Sequence, residues 1–218
     1  MEAGFDLVQP LAVAAYNATA HSEHRLPDFG RSAALGVVIG NTRALWPRFV
    51  RAWENDPDLR QEPHPLDAYV SRSLPSLVAS VTNERAELVF SHVTRPRAFP
   101  IQRAAEAAGL AAISPSHLAI HRDHGPWIAI RAVVVIDVEG PRDTPPAPRP
   151  CDTCAAPCVP ALEHALAVSG PALNGASISA NAAAWIAIRD ACPIGHPSRY
   201  SPPQLAHHYG LRTLPPNL

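Results

Sequence analysis

Four cysteines carry the clearest chemical potential in this chain. Cys151-x2-Cys154-x3-Cys158 lies on a proline-rich stretch, and Cys192 follows much later, directly before Pro193. Thiolates clustered on a loop that can wrap around a central ion suit zinc or an iron–sulfur centre. The spacing departs from the bacterial ferredoxin run Cys-x2-Cys-x2-Cys-x3-Cys-Pro. The last two gaps of that run are present and its first cysteine is missing, while Leu162 and Glu163 stand where a closing ligand would fall. Cys192 becomes a fourth ligand only if the fold brings it in. Two readings stand: a metal or cluster site of Cys151, Cys154, Cys158 and Cys192, or a relic or thiol-reactive cluster. Every ligand must be deprotonated and correctly placed, so a stoichiometric four-iron cluster is not expected from this spacing. The fold is expected to survive Cys151→Ser and Cys154→Ser.

Two arginines form the second constellation. The pentapeptide Trp-Ile-Ala-Ile-Arg occurs twice, as Trp127–Arg131 and Trp185–Arg189. Arg131 is the one charge in the apolar run from Trp127 to Ile136. A guanidinium keeps its proton, so a dry environment must give it an anionic or hydrogen-bonding partner. That partner is either a carboxylate of the chain, such as Asp137 or Asp190, or an anionic ligand. Two such arginines favour the ligand, because guanidinium forks match carboxylates in a bidentate manner.

The remaining signals mostly exclude. Among the eleven histidines, His117, His121, His124, His207 and His208 show no zinc-protease spacing. There is no P-loop, no Gly-x-Gly-x-x-Gly and no Gly-x-Ser-x-Gly, so the commonest nucleotide and hydrolase signatures are missing. The 218 residues are 47% hydrophobic and 17% charged, with a formal net charge of −1. That balance gives an ample core and argues against an electrostatic nucleic-acid binder. The N-terminus shows no secretory signal pattern, and no apolar stretch approaches the roughly 20 residues that span a bilayer. The expectation is a soluble cytoplasmic protein with reduced cysteines and no membrane partner.

The positioning elements read as alternating helices and strands. A helix is expected over Gly4–Asn17, a strand at Leu35–Ile39, and a helix capped by Thr42 with a stripe of Trp46, Phe49, Val50 and Trp53. A turn-rich loop over Asp56–Pro65 precedes a helix through Leu66, Tyr69, Val70 and Leu77, disturbed at Pro75. Glu87–His92 reads as a strand, Pro100–Gly109 as a helix and Ile113–Ile120 as extended. Trp127–Val138 reads as a long strand, apolar on both faces, belonging in the middle of a helix-covered sheet. Asn181–Ala191 reads as a helix, and Ser201-Pro-Pro-Gln204 opens a last one that ends at Gly210. The two pentapeptides therefore fall in a strand and in a helix, and no duplication is inferred. The expected organisation is a core over residues 1–140, a Pro/Cys-rich connection over 141–160, and a helical part over 161–218 packing on the core.

An ordered set of segments resembles the CblC (MMACHC) family of cytosolic cobalamin-processing proteins. The segments are Gly4-Phe5-Asp6, Ala15-Tyr16-Asn17, Leu26-Pro27, Leu35–Ile39, His64-Pro-Leu-Asp67 with Tyr69, and Gln102-Arg-Ala-Ala105 with Ala108-Gly109. They continue with Gly125-Pro-Trp127-Ile-Ala-Ile-Arg131-Ala-Val-Val, Cys158-Val-Pro160, Arg189-Asp190-Ala191 and Arg199-Tyr200-Ser201. The Trp127–Val134 and Arg199–Ser201 pieces are the most specific. The resemblance implies an α+β fold, a flavin-nitroreductase-like sandwich with a central, mainly antiparallel sheet flanked by helices. It implies a cavity holding cobalamin with its nucleotide tail off cobalt, thiol-dependent dealkylation by glutathione, and reductive decyanation supported by FMN or FAD. It assigns Arg131 and Arg189 to glutathione and Gln102, Trp127 and Tyr200 to the corrinoid. It also suggests a cobalamin-dependent partner enzyme or a flavin-induced dimer. Animal members lack the Cys151/Cys154 pair. Some bacterial relatives, and the related cobalamin-dependent epoxyqueuosine reductases, carry a ferredoxin-like cysteine run in that region. A metal-binding redox protein and a non-catalytic corrinoid or flavin carrier are the alternatives to a processing enzyme.

Overall fold

A computed structural model describes residues 3–211. In chain order its elements are β1 (Leu7–Ala12), α1 (Val13–Thr19), β2 (Ala34–Asn41), α2 (Leu45–Asn55), α3 (Pro57–Gln61), α4 (Pro65–Val81), β3 (Ala86–Phe90) and α5 (Ile101–Ala107). Then come β4 (Ala112–Ile113), β5 (Ala119–Ile120), β6 (Ala129–Glu139), α6 (Cys158–Ser169), α7 (Gly175–Ala180), α8 (Ala182–Asp190) and α9 (Pro202–His208). They form two compact units. Unit 1 holds residues 3–111 with 129–148, and unit 2 holds residues 112–128 with 149–211.

Unit 1 is built on a four-stranded sheet of order β1-β2-β6-β3, with every neighbouring pair antiparallel. Helices flank it: α5 packs on β6 and β1, α1 on β2, and α4 on β3. The fold is thus a mixed α/β sandwich of the nitroreductase-like kind. Ala132–Val135 are all buried, both faces at once, which suits an interior strand. Val133 stands opposite Val38 on one side and Val89 on the other.

The expected helix over Gly4–Asn17 is corrected. Leu7–Ala12 is a strand and the helix starts only at Val13. Pro10 explains the choice. Within a helix it would remove a hydrogen bond and clash with the preceding turn, whereas an edge strand such as β1 tolerates it. Asp56–Pro65 is likewise not all loop: α3 starts with Pro57, and the Asp56 carboxylate accepts from Asp58 N at 2.9 Å and Leu59 N at 3.1 Å. The expected cap Thr42 sits two residues before the N-cap position, Ala44. Its hydroxyl accepts from Ala44 N at 3.2 Å, and α2 begins at Leu45 without a side-chain cap. Trp46 and Phe49 are buried on α2 as the stripe requires. Helix α4 continues through Pro75.

Unit 2 contains the strand pair β4–β5 and helices α6 to α9. Ile113–Ile120 is a tight hairpin rather than one extended segment: Ser114 N donates to Leu118 O at 2.9 Å, and His117 takes φ +61°. Helix α6 packs against α8. The Ser201 hydroxyl accepts from Gln204 N and caps α9, as its sequence foretells. Among the described residues no helix is long and apolar enough to cross a membrane.

Candidate functional site

The division between units falls inside the first pentapeptide. Trp127 and Ile128 belong to unit 2, and the strand that was expected to open at Trp127 starts at Ala129 in unit 1. The second pentapeptide lies within α8. Arg131 and Gln102 are therefore residues of unit 1, whereas Arg189, Trp127, Tyr200 and the four cysteines are residues of unit 2.

In unit 1, Arg131 Nε donates to Asn41 Oδ1 at 2.7 Å. Asn41 is fully buried at the end of β2, and its Nδ2 donates to Thr42 O at 2.7 Å. An amide oxygen, rather than the proposed carboxylate, thus meets this nitrogen. Asp137 is instead held by Arg31, whose Nε donates to its Oδ1 at 2.5 Å. Asn41 was not singled out from the sequence; Gly40-Asn41 reads simply as the end of a strand. Gln102 lies half-buried on α5. A groove beside α5 of about 540 Å³ is lined by Tyr16, His21, His24, Arg103 and Glu106 among others. Tyr16 is buried there, its hydroxyl has no hydrogen-bond partner among the described residues, and burial pushes its phenol pKa up.

In unit 2, Arg189 sits in the last turn of α8. Its guanidinium donates to the Pro126 carbonyl and lies 5.8 Å from the Trp127 ring centroid. The carboxylate beside it in sequence is committed elsewhere: Arg199 Nε and Nη2 grip Asp190 Oδ1 and Oδ2 at 2.6 and 2.9 Å. That bidentate pair raises the Arg199 pKa, chiefly through the hydrogen bond to Asp190. Among the described residues no ion pair to Arg189 is present. A guanidinium has five N–H donors, so this one retains capacity for an anion.

Trp127 and Tyr200 meet edge to face, with centroids 5.5 Å apart. Both are buried in one cluster with Ala182, Leu205 and Tyr209. The cluster is pinned by two glycines. Gly125 (φ +54°) and Gly195 (φ +82°) bring the His124–Gly125 and Ile194–Gly195 backbones together. A Cβ on Gly125 would stand 2.1 Å from Ile194 O, and one on Gly195 would stand 2.1 Å from His124 O. His124 Nδ1 and Ser198 Oγ add a hydrogen bond of 2.7 Å across the same junction.

The four cysteines converge. Cys151, Cys154, Cys158 and Cys192 all line one apolar cavity of about 20 Å³, together with Ser114, Ser116 and Ile188. Cys151 and Cys154 lie on one turn, where Cys154 N donates to Cys151 O at 3.2 Å. Cys158 opens α6, and Cys192 follows the end of α8. All four are free thiols. Burial raises the Cys192 pKa first, and the neighbouring Cys158 and Cys154 raise it further. Burial likewise raises that of Cys151, reinforced by Cys192, Cys154 and Cys158. Among the described residues no three His, Cys, Asp or Glu side chains are placed so that they could hold a metal ion as they stand.

No family model matches the sequence, and no curated protein matches it. Solved structures do. A B12-trafficking CblC protein of C. elegans, described as a homologue of human MMACHC, superposes with a TM-score of 0.72 at 19% identity, covering 97% of this chain and 86% of that one. The chain has the CblC fold. The epoxyqueuosine reductase of Streptococcus thermophilus gives a TM-score of 0.45 at 14% identity, covering 73% of this chain and 49% of that one. That likeness is too slight to build on.

Proposed function

We propose that this chain binds a corrinoid and promotes thiol-dependent removal of the upper ligand of cobalt. The observation that carries the reading is the likeness in fold, over 97% of the chain, to a protein described as trafficking B12. The ordered segments from Gly4 to Ser201 support it. Arg189, with donors to spare and its neighbouring carboxylate held by Arg199, is the anchor for a carboxylate of the thiol cosubstrate, glutathione being the thiol the resemblance implies. Trp127 and Tyr200, which the resemblance assigns to the corrinoid, are both buried, and in this reading they form the rigid backing that holds Arg189 in place. Gln102 is assigned to the corrinoid on the resemblance alone. Arg131 stabilises the end of β2 through Asn41, and binds thiol only in so far as its remaining donors serve.

Cobalamin would be the substrate, and cobalt supplies the reacting bond. The protein's part is positional: to hold the corrinoid, exclude water and orient the thiol toward the upper-ligand carbon. Reductive decyanation with a flavin is the companion activity. Titration of cobalamin with the protein, followed by visible absorbance, tests the binding step. A blue-shifted band of the form lacking its nucleotide ligand is expected, and an unchanged spectrum at high protein excess overturns the reading. Incubating a bound alkylcobalamin anaerobically with glutathione then separates enzyme from carrier: transfer of the alkyl group to sulfur marks the enzyme.

A further inference from the structure

We infer that Cys151, Cys154, Cys158 and Cys192 close on a single soft divalent cation, with zinc as its natural occupant, to form a four-thiolate clasp inside unit 2. This inference is independent of the corrinoid reading.

Three observations carry it. First, four thiols that are up to 41 residues apart in number, from Cys151 to Cys192, line one cavity. Chance seldom gathers every cysteine of a chain on one spot, and disulfides do not account for it, since all four are free. Second, the cavity is apolar and small. About 20 Å³ is room for one water-sized body, since a single probe sphere occupies roughly 10–15 Å³. That space matches one ion and is far smaller than a cube of four irons and four sulfides. Four thiolates around one ion describe a tetrahedral zinc site. Third, the thiols come from complementary supports. The Cys151–Cys154 turn and the first residue of α6 supply three, and the segment leaving α8 supplies the fourth. The packing of α6 on α8 brings the start of one helix to the end of the other.

The thiols are not yet set as a coordination sphere. A cysteine sulfur moves with one side-chain torsion, χ1, among staggered positions, and the clasp closes by such rotations. Binding replaces four S–H bonds by four metal–sulfur bonds and releases four protons to solvent, with no change of oxidation state.

The test uses the whole chain, purified with reductant and treated with chelator. Cobalt(II), whose visible bands report tetrahedral thiolate coordination, is titrated in and then displaced by zinc. The expected result is one ion per chain, intense thiolate-to-cobalt absorption, and displacement by one equivalent of zinc. Cys192→Ala and, separately, Cys154→Ser should each weaken binding more than about 100-fold, beyond what loss of an outer partner causes. Cys154 is half-exposed, so its variant remains informative if the buried Cys192→Ala does not fold. The inference is overturned by the absence of saturable one-to-one binding by the wild-type chain or by an unchanged cobalt spectrum in Cys154→Ser. It is also overturned if anaerobically purified protein contains about four irons and four sulfides per chain.

Discussion

Removing the Arg131 guanidinium would leave Asn41 Oδ1, fully buried, without the donor it now meets at 2.7 Å. An orphaned buried acceptor costs about 1–3 kcal/mol, so Arg131→Ala is expected to lower the free energy of unfolding in urea by that amount. Arg189 sits differently. It donates to a carbonyl and lies against an indole face, so Arg189→Ala is expected to spare corrinoid binding and to slow the thiol-dependent reaction. Loss of a charge-assisted bond of about 1.5–3 kcal/mol corresponds to roughly 10–150-fold. Equal thiol kinetics in a folded Arg189→Ala variant would remove Arg189 from the thiol site. The cysteines add a pH dependence. With metal removed, Cys151 and Cys192 have folded-state pKa values above the ordinary thiol value of 9.0. A raised pKa means the folded state holds its proton more tightly. Its stabilisation is therefore complete below pH 9.0 and is lost as pH rises through the folded value. The phenols of buried Tyr16 and half-buried Tyr69 act with the same sign at higher pH. The thiol share is isolated by comparing the chelated wild type with Cys192→Ala, whose unfolding midpoint should fall less steeply above pH 9.0.

Among the elements, the junction of the Gly125 and Gly195 backbones positions the Trp127 cluster. Gly195→Ala combines a left-handed backbone with a methyl 2.1 Å from the His124 carbonyl oxygen. Gly30 shares the positive φ, +76°, but a Cβ there meets nothing within 4 Å. Gly30→Ala should therefore lose only about 1–2 kcal/mol, while Gly195→Ala should lose at least about 3 kcal/mol. Equal thermal shifts for the two would mean that the two backbones separate without cost. Where side-chain period decided structure, the sequence was legible: β2, α2, α5, α8 and the Ser201-capped α9 stand where their patterns put them. Where tertiary pairing decided, it was not. Leu7–Ala12 has spacing that suits either state, and pairing with β2 makes it a strand. The hairpin at Ser114–Leu118 depends on His117 adopting a positive φ, which no residue type there announces. At the site, the convergence of Cys192 with Cys151, Cys154 and Cys158 requires α6 to lie on α8, information that spacing alone does not contain. Asn41 beneath Arg131 and Arg199 around Asp190 were hidden for the same reason: their partners lie 90 and 9 residues away, respectively.

On the scale of the whole molecule, the chain passes from unit 1 to unit 2 at Ala112, returns at Ala129 and leaves again at Arg149. Unit 2 is thereby assembled from two stretches, and its hairpin and Trp127 come from the first. Trp127, fully buried, meets Tyr200 from the second stretch, and the Gly125 and Gly195 backbones touch. This interleaving makes the protein a natural case of fragment complementation. A single protease cut introduced at Pro148–Arg149 should give two bands on a denaturing gel yet one particle of undiminished size on a native column. The N-terminal fragment keeps residues 112–128 embedded among the helices of the other, so the broken chain is fastened by its own fold. Elution of the two pieces apart without denaturant would show that this grip is too weak to act as a fastening.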